Sequence, residues 1–347
     1  MRAMVLHDWV RNWGNNLKLE DVPCPKPGPT DVLIRVRACG VGYTVTKFLL
    51  GRDGGGSDAK LLPRIPGHEI AGDIVETGKG VSEFKRGDRV LVYFYLICGH
   101  CQYCLAGEQN HCVNRRGVIG MHVDGGYAEY VNVPVQNVFH LPDSIPYKEA
   151  TVINDAVATP VHVMKRIARV KPGESILIVG AGGGVGVHAV QMAKFCGGRV
   201  IGADIDDAKL EKLEEYGAAV INTKSLSMVD EVKRLTNGRG VDAAVDFVCD
   251  EKTMQDTLAC VGTKGRMVVM APHQFSLSLQ PGRLSNGEVI VTGSRYATAQ
   301  DFIEATELVR RHAITPVIGE AGELEETERI HSLIAQNRVF GRGVVTI

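Results

Sequence analysis

Residues 175–195, SILIVGAGGGVGVHAVQMAKF, constrain the fold of this chain more than any other stretch. An unbroken apolar run leads through a glycine-rich turn into a segment of helical spacing. Apolar residues without alternation mark a strand covered on both faces, as in a parallel sheet. Gly180, Gly183 and Gly186 recur at every third position, with Gly184 and Val185 between the last two. The early glycines permit a tight turn and let a pyrophosphate approach the backbone. The last lets helix and strand pack closely, and the helix N-terminus then meets the phosphate charge. A glycine turn alone is only a turn, but this one has the strand before it and the helix after it that a dinucleotide site requires.

Asp204 strengthens that reading. It ends the next apolar run, RVIGAD, where an acid binds the adenosine ribose hydroxyls and repels the 2′-phosphate of NADP, so NAD is expected over NADP. Capping of the following helix is the competing role for Asp204, and Asp206 and Asp207 can supply that cap instead.

The same alternation continues on either side. YKEATVINDAVATPVHVMKRIA and DAKLEKLEEYGA have helical spacing, the second with Gly217 as its stop. AVIN, DAAVDFVC, RMVVMA and EVIVTGS are strands. Strands alternating with helices predict an α/β, doubly wound parallel sheet over residues 154–295. The first 153 residues differ. Short β-type runs (DVLIRVRACGVG, EIAGDIVETG, DRVLVYFYLI, YAEYVNV) are parted by turn signals such as PKPGPTD and FKRGD, which predicts a mainly-β domain. GRDGGGSDAK, 51–60, reads as an exposed, mobile glycine-rich loop. Residues 296–347 add a helix, AQDFIEATELVRRHA, and a last strand, FGRGVVTI.

Within the first domain, at about 95–113, CGHCQYCLAGEQNHC sets Cys98, Cys101, Cys104 and Cys112 at C-x2-C-x2-C-x7-C. Four thiolates at such spacing close a tetrahedron around Zn²⁺ with no open position, a structural site of about one ion per subunit. Unliganded thiols and an iron–sulfur cluster are the alternatives. Cys196, Cys249 and Cys260 stand alone and are expected to fill core space. Nine cysteines, an odd number with four clustered, favour metal ligation in a reducing compartment, the cytoplasm, over a disulfide framework. The net charge of −1 gives no reason to expect nucleic acid or a membrane surface as partner. No apolar run of spanning length occurs, and MRAMVLHDWVRNWG has no signal-peptide core.

The glycine turn and the cysteine lobe, in this order and with PGHE and GDRV, resemble the zinc-type medium-chain dehydrogenase/reductase family, which includes the alcohol and polyol dehydrogenases. The resemblance spans essentially the whole chain. It implies a GroES-like catalytic domain interrupted by a Rossmann domain and completed by the C-terminal residues. It also implies a homodimer or homotetramer, and an active site in the cleft between domains. By position, Thr159 would lie near the nicotinamide, Lys209 beside the adenosine ribose and Arg342 at the pyrophosphate. Without the resemblance, Lys209 and Arg342 would read as surface charge.

The family's catalytic zinc is bound by a cysteine in CG-x-C-x-[ST]-D, by the histidine and often the glutamate of GHE, and by a later cysteine or aspartate. His68, Glu69 and Asp155 match the last three, but the cysteine position is Gly42. Cys39 is the motif's non-ligating cysteine, and three residues along a strand it faces the other way. The aspartate that orients the histidine is Val45, and the relay histidine is Lys47. Thr44 remains as the relay hydroxyl, with Tyr43 beside it. Two chemistries stay open. In one, zinc on His68, Glu69 and Asp155 polarises the carbonyl of a small aldehyde or ketone, or lowers the pKa of a bound alcohol, during hydride transfer. In the other, NAD(P)H reduces a conjugated C=C or C=N bond without metal, with Tyr43, Thr44 or Glu69 placing a hydrogen bond or proton. A non-catalytic NAD-binding protein is the third possibility.

Overall fold

The computed structural model describes residues 1–52, 58–270 and 275–347. Half of the expected glycine-rich loop at 51–60, residues 53–57, therefore lies outside the described residues. The chain divides into two units, Met1–Ala158 with Thr298–His312 and Pro316–Ile347, and Thr159–Ala297 with Ala313–Thr315.

The second unit is built on six parallel strands. Ser175–Val179, Arg199–Asp204 and Ala219–Asn222 extend one way from the start, and Val241–Asp246, Val261–Val269 and Ile290–Gly293 the other. The spatial order is thus third, second, first, fourth, fifth, sixth, which leaves the C-terminal end of the first strand where the winding reverses, the position at which such sheets bind ligands. The first strand, SILIV, is buried at every residue. Leu177, Val179, Ile201, Ala244 and Met267 join one core cluster with the helix residues Met254 and Leu258. Asp206 caps the helix Asp207–Glu215, its side chain accepting from Lys209 N. Gly217, at φ +71°, ends that helix in a conformation that costs a side chain. Cys249 and Cys260 are buried.

The first unit carries a seven-stranded sheet around the long strand Asp31–Val41. Glu69–Thr77 lies antiparallel on one side, and Arg342–Thr346 on the other. Two registers matter for function: Gly40 opposes Glu69, and Gly343 opposes Val41. The starts of two strands far apart in sequence therefore flank the end of a third. Arg89–Val92 stops sooner than its apolar continuation suggests. Beyond it Tyr93 N turns to Asn137 O at 2.7 Å, and Asn137 Nδ2 donates to Tyr93 O at 2.6 Å, so the chain leaves the sheet there to form the cysteine lobe. Ile318–Glu323, rich in glycine and glutamate, has no strand signal of its own and pairs parallel with Arg342–Thr346 at the sheet edge.

Candidate active site

The glycine turn of the second unit has the form expected of a phosphate cradle. Gly180 is at φ +75°, and Gly183 N donates to Gly180 O at 3.1 Å. A β-carbon at Gly186 would overlap Gly180 O, so the helix Gly186–Phe195, entered through Gly184 and Val185, can start this close only on glycine. Asp204 Oδ2 accepts from Gly182 N at 2.9 Å and Oδ1 from Ile205 N at 2.8 Å. The carboxylate is thereby fixed at the rim of the turn with lone pairs to spare. Lys209 is buried, its stem lying across Gly182, where an added β-carbon would come within 2.7 Å of Lys209 Cβ. Burial lowers the Lys209 pKa and the charge of Asp204 opposes that shift. Thr159, which opens the second unit, is buried on the helix Ala158–His162.

The four cysteines converge in the first unit. One sulfur from each of Cys98, Cys101, Cys104 and Cys112 lies within 4.8 Å of all the others. Sulfurs bound to one tetrahedral Zn²⁺ at 2.3 Å would stand about 3.8 Å apart. Cys98 and Cys104 sulfurs are 4.0 Å apart, and backbone N–H groups of Cys98 and Cys101 point at the sulfurs of Cys112 and Cys98, each at 3.3 Å. Donors aimed at sulfur favour thiolate over thiol, so this donor set fits a closed zinc site.

The second centre is formed by His68, Glu69 and Asp155, whose ligand atoms also lie within 4.8 Å of one another. Each is brought by a different piece of backbone logic. Glu69 opens its strand opposite Gly40, whose missing side chain leaves the carboxylate room: a β-carbon there would stand 2.7 Å from Glu69 Cβ. Asp155 sits on a wide π-type turn, Ile153–Val157, held to the sheet by Asn154 Nδ2 donating to Ile70 O at 2.9 Å. The His68 ring stacks on Phe94 with centroids 4.3 Å apart. Neither of its buried ring nitrogens has a hydrogen-bond partner among the described residues, and Nε2 stands 3.5 Å from Glu69 Oε1.

What joins the carboxylates is Arg342. Its Nε donates to Glu69 Oε2 at 2.9 Å, and its Nη2 donates to Glu69 Oε1 and, at 2.6 Å, to Asp155 Oδ2. All three residues are buried. Burial alone would raise the Glu69 pKa, but the charge of Arg342 and the hydrogen bonds bring it down to about 2. Burial likewise works against the Arg342 charge, and Glu69 and Asp155 more than restore it. Sequence resemblance set Arg342 at the cofactor's pyrophosphate. In the structure its Nε and Nη2 are hydrogen-bonded to Glu69 and Asp155 at this centre.

Gly42 provides the space. A β-carbon there would overlap Nη2 and Cζ of Arg342 and come within 2.8 Å of Glu69 Oε1. With φ −127°, its backbone is open to any residue, so the need for glycine is spatial and not conformational. Cys39 lies on the other face of the strand, its sulfur 3.0 Å from where a β-carbon on Gly67 would be, and it does not join the ligand cluster. Burial first, then the Glu69 charge, pushes its thiol pKa well up.

These positions decide the test of a metal here. His68 could give a nitrogen, but a divalent ion shared with Glu69 and Asp155 would compete with the guanidinium for Glu69 Oε1, Oε2 and Asp155 Oδ2 and sit beside its positive charge. The residues present fit Arg342 and do not fit a catalytic zinc.

Behind Gly42 runs a buried polar chain that sequence reading missed. Tyr127 Oη meets His331 Nε2 at 2.9 Å, His331 Nδ1 meets Thr46 Oγ1 at 2.8 Å, and Thr46 Oγ1 donates to Gly42 O at 3.1 Å. Burial lowers the His331 pKa to about 3, so the ring is neutral. The Tyr127 hydroxyl also lies 3.3 Å from Gly40 O, so each end of the chain has a backbone carbonyl to accept a proton and either neutral tautomer of His331 satisfies it. Nothing local in the sequence marks His331, which arrives on the distant helix Thr327–Ala335. Tyr43 and Thr44 are exposed at the start of the helix Tyr43–Leu49, and Lys47 Nζ lies 5.5 Å from the Tyr43 ring centroid. Val45 is buried and apolar where the family's pattern has an acid.

Comparison with known proteins agrees with this architecture. Residues 28–143 match the alcohol dehydrogenase GroES-like domain and residues 184–311 the zinc-binding dehydrogenase domain. An NAD-dependent alcohol dehydrogenase of Sulfolobus acidocaldarius is 34% identical over 100% of both chains. An acryloyl-coenzyme A reductase of Metallosphaera sedula is 30% identical, again over 100% of both. The cobalt- and zinc-bound thermostable alcohol dehydrogenase of Pyrobaculum aerophilum superposes with a TM-score of 0.89 at 31% identity, covering 100% of this chain and 99% of that one.

Proposed function

The chain belongs to the zinc-type medium-chain dehydrogenase/reductase family, and from that premise we propose that it is an NAD(H)-dependent oxidoreductase of the alcohol dehydrogenase type, passing hydride between the nicotinamide and a small alcohol, aldehyde or ketone. The observation that carries the cofactor is the Asp204 carboxylate, fixed by Gly182 N at the rim of the glycine turn, where it would take the ribose hydroxyls and repel a 2′-phosphate. Lys209 lies beside it, and Thr159 is assigned to the nicotinamide end. NAD, when bound, supplies the hydride acceptor or, reduced, the donor.

The chain's own groups provide binding and proton handling. Tyr43 and Thr44 present hydroxyls at an exposed helix start, able to hydrogen-bond the oxygen of a substrate, and Lys47 carries positive charge close by. Glu69 is ionised and bound in its ion pair, so it orients and balances charge and does not exchange protons at neutral pH. The cysteine lobe holds structural zinc through Cys98, Cys101, Cys104 and Cys112. A four-thiolate site needs reduced sulfur, which supports a reducing compartment, the cytoplasm in this reading. The assembly would be a homodimer or homotetramer.

A second reading, reduction of a conjugated C=C bond, is favoured by one observation: Arg342 holds both carboxylates that a catalytic zinc would need. An already polarised double bond requires less Lewis-acid help, and an acryloyl-coenzyme A reductase is among the relatives. The two readings separate in one assay of NADH formation or consumption with primary and secondary alcohols, aldehydes, ketones and α,β-unsaturated thioesters. Turnover of alcohols and ketones supports the first. Turnover confined to the unsaturated acceptors supports the second, and NAD binding with no turnover at all defeats both.

A further inference from the structure

We propose that the Arg342 guanidinium is the built-in cation of this centre, standing where a divalent ion would otherwise bind, and that the missing side chain of Gly42 is what admits it. Three observations carry this. First, the guanidinium makes three hydrogen bonds to Glu69 and Asp155, two of the three residues whose ligand atoms converge there. Second, the space it fills is the space of a side chain at position 42: any β-carbon there overlaps it. Third, His68 is left with two buried ring nitrogens and no hydrogen-bond partner among the described residues. Buried ring nitrogens are normally hydrogen-bonded. Here the only close polar contact of the ring among the described residues is Nε2 to Glu69 Oε1 at 3.5 Å, so it adds a nitrogen to the two carboxylates without being held by either.

The charges support the exchange. Glu69 and Asp155 carry two negative charges into a buried site, which is costly unless a positive charge accompanies them. Arg342 meets that need with a fork matching carboxylate geometry. Unlike zinc it cannot open a coordination position for a substrate oxygen, so the centre positions its neighbours and does not act as a Lewis acid. Arg342 is therefore a positioning residue, joining the strand ends at Gly42 and Glu69 to the turn at Asp155. A thiol at position 42 would both evict the guanidinium and offer a soft ligand, so Gly42 and Arg342 must change together for zinc to bind.

Metal content tests this without reference to turnover, so the result stands apart from the reaction assigned above. Purified full-length protein would be loaded with ZnCl₂, desalted and analysed by plasma mass spectrometry. The wild type should hold about one zinc per chain, all of it in the cysteine lobe. The double variant Gly42→Cys with Arg342→Met should hold about two, the second on His68, Asp155 and the new thiolate. A wild-type crystal soaked in ZnCl₂ should give an anomalous peak at the cysteine lobe alone. A peak within bonding distance of His68 in the wild type overturns the proposal. So does a double variant that keeps its lobe zinc, and hence its fold, yet gains no second ion. Should the double variant fail to fold, the soaked wild-type crystal decides by itself.

Discussion

Arg342 and Glu69, 273 residues apart in sequence, form a two-pronged ion pair with no exposed side: Nε to Oε2 at 2.9 Å and Nη2 to Oε1. Antiparallel register puts them there, because the strands they begin flank the same strand end at Gly40 and Val41. A buried pair is not in itself a strong stabiliser, but removing one partner leaves the other uncompensated. Replacing Arg342 by Ala should therefore cost about 3–5 kcal/mol, read as a fall in the urea midpoint, since it strands both Glu69 and Asp155. An unchanged midpoint would mean that the pair is not formed in solution.

Gly42→Ala should destabilise by about 1–3 kcal/mol through overpacking, since the added carbon overlaps the guanidinium. The same substitution made on top of Arg342→Ala should cost less, because the space is then free. Non-additivity of at least about 1 kcal/mol in the double-mutant cycle is the expected result. Additive costs would separate the two residues.

His331 sets a pH dependence. Its folded pKa, about 3, lies below the ordinary value of 6.5. Between those limits the unfolded chain binds the proton and the folded chain does not, so stability rises with pH across that window and is lost as pH falls. The slope from this one group reaches about 1.4 kcal/mol per pH unit. Substituting Gln for His331 should flatten the stability profile between pH about 6.5 and about 3 relative to wild type. A parallel profile for the two proteins would refute the assignment.

Asp204→Asn keeps an acceptor for Gly182 N but removes the charge. The variant should bind NADPH roughly tenfold more tightly than wild type, about 1.4 kcal/mol, by titration of cofactor fluorescence, with little change in thermal stability. No gain in NADPH binding would mean that the 2′-phosphate is not directed to Asp204.

Loss of the lobe metal should be local. Cys112→Ser, or chelation of the wild type, should expose the segment around 95–113 to proteolysis while leaving the parallel sheet of the second unit intact by hydrogen exchange. Protection of that segment in metal-free protein would show that its fold does not depend on zinc.

Local signals made much of this protein legible. The buried strand, the glycine turn and Asp204 lie within 30 residues, and Cys98 to Cys112 within 15, so spacing along the chain already dictates their geometry. The absence of a thiol at position 42 was equally plain from the sequence, as was the opposite facing of Cys39. What the sequence could not say was what fills that absence. Arg342 carries no signal of burial, and His331 none of partnership. Their places follow from strand register and from a helix returning late in the chain, which bring residues hundreds of positions apart to one strand end. Short-range periodicity determines which elements form. Which side chain neutralises Glu69 depends on where three such elements meet, and only the tertiary structure decides that.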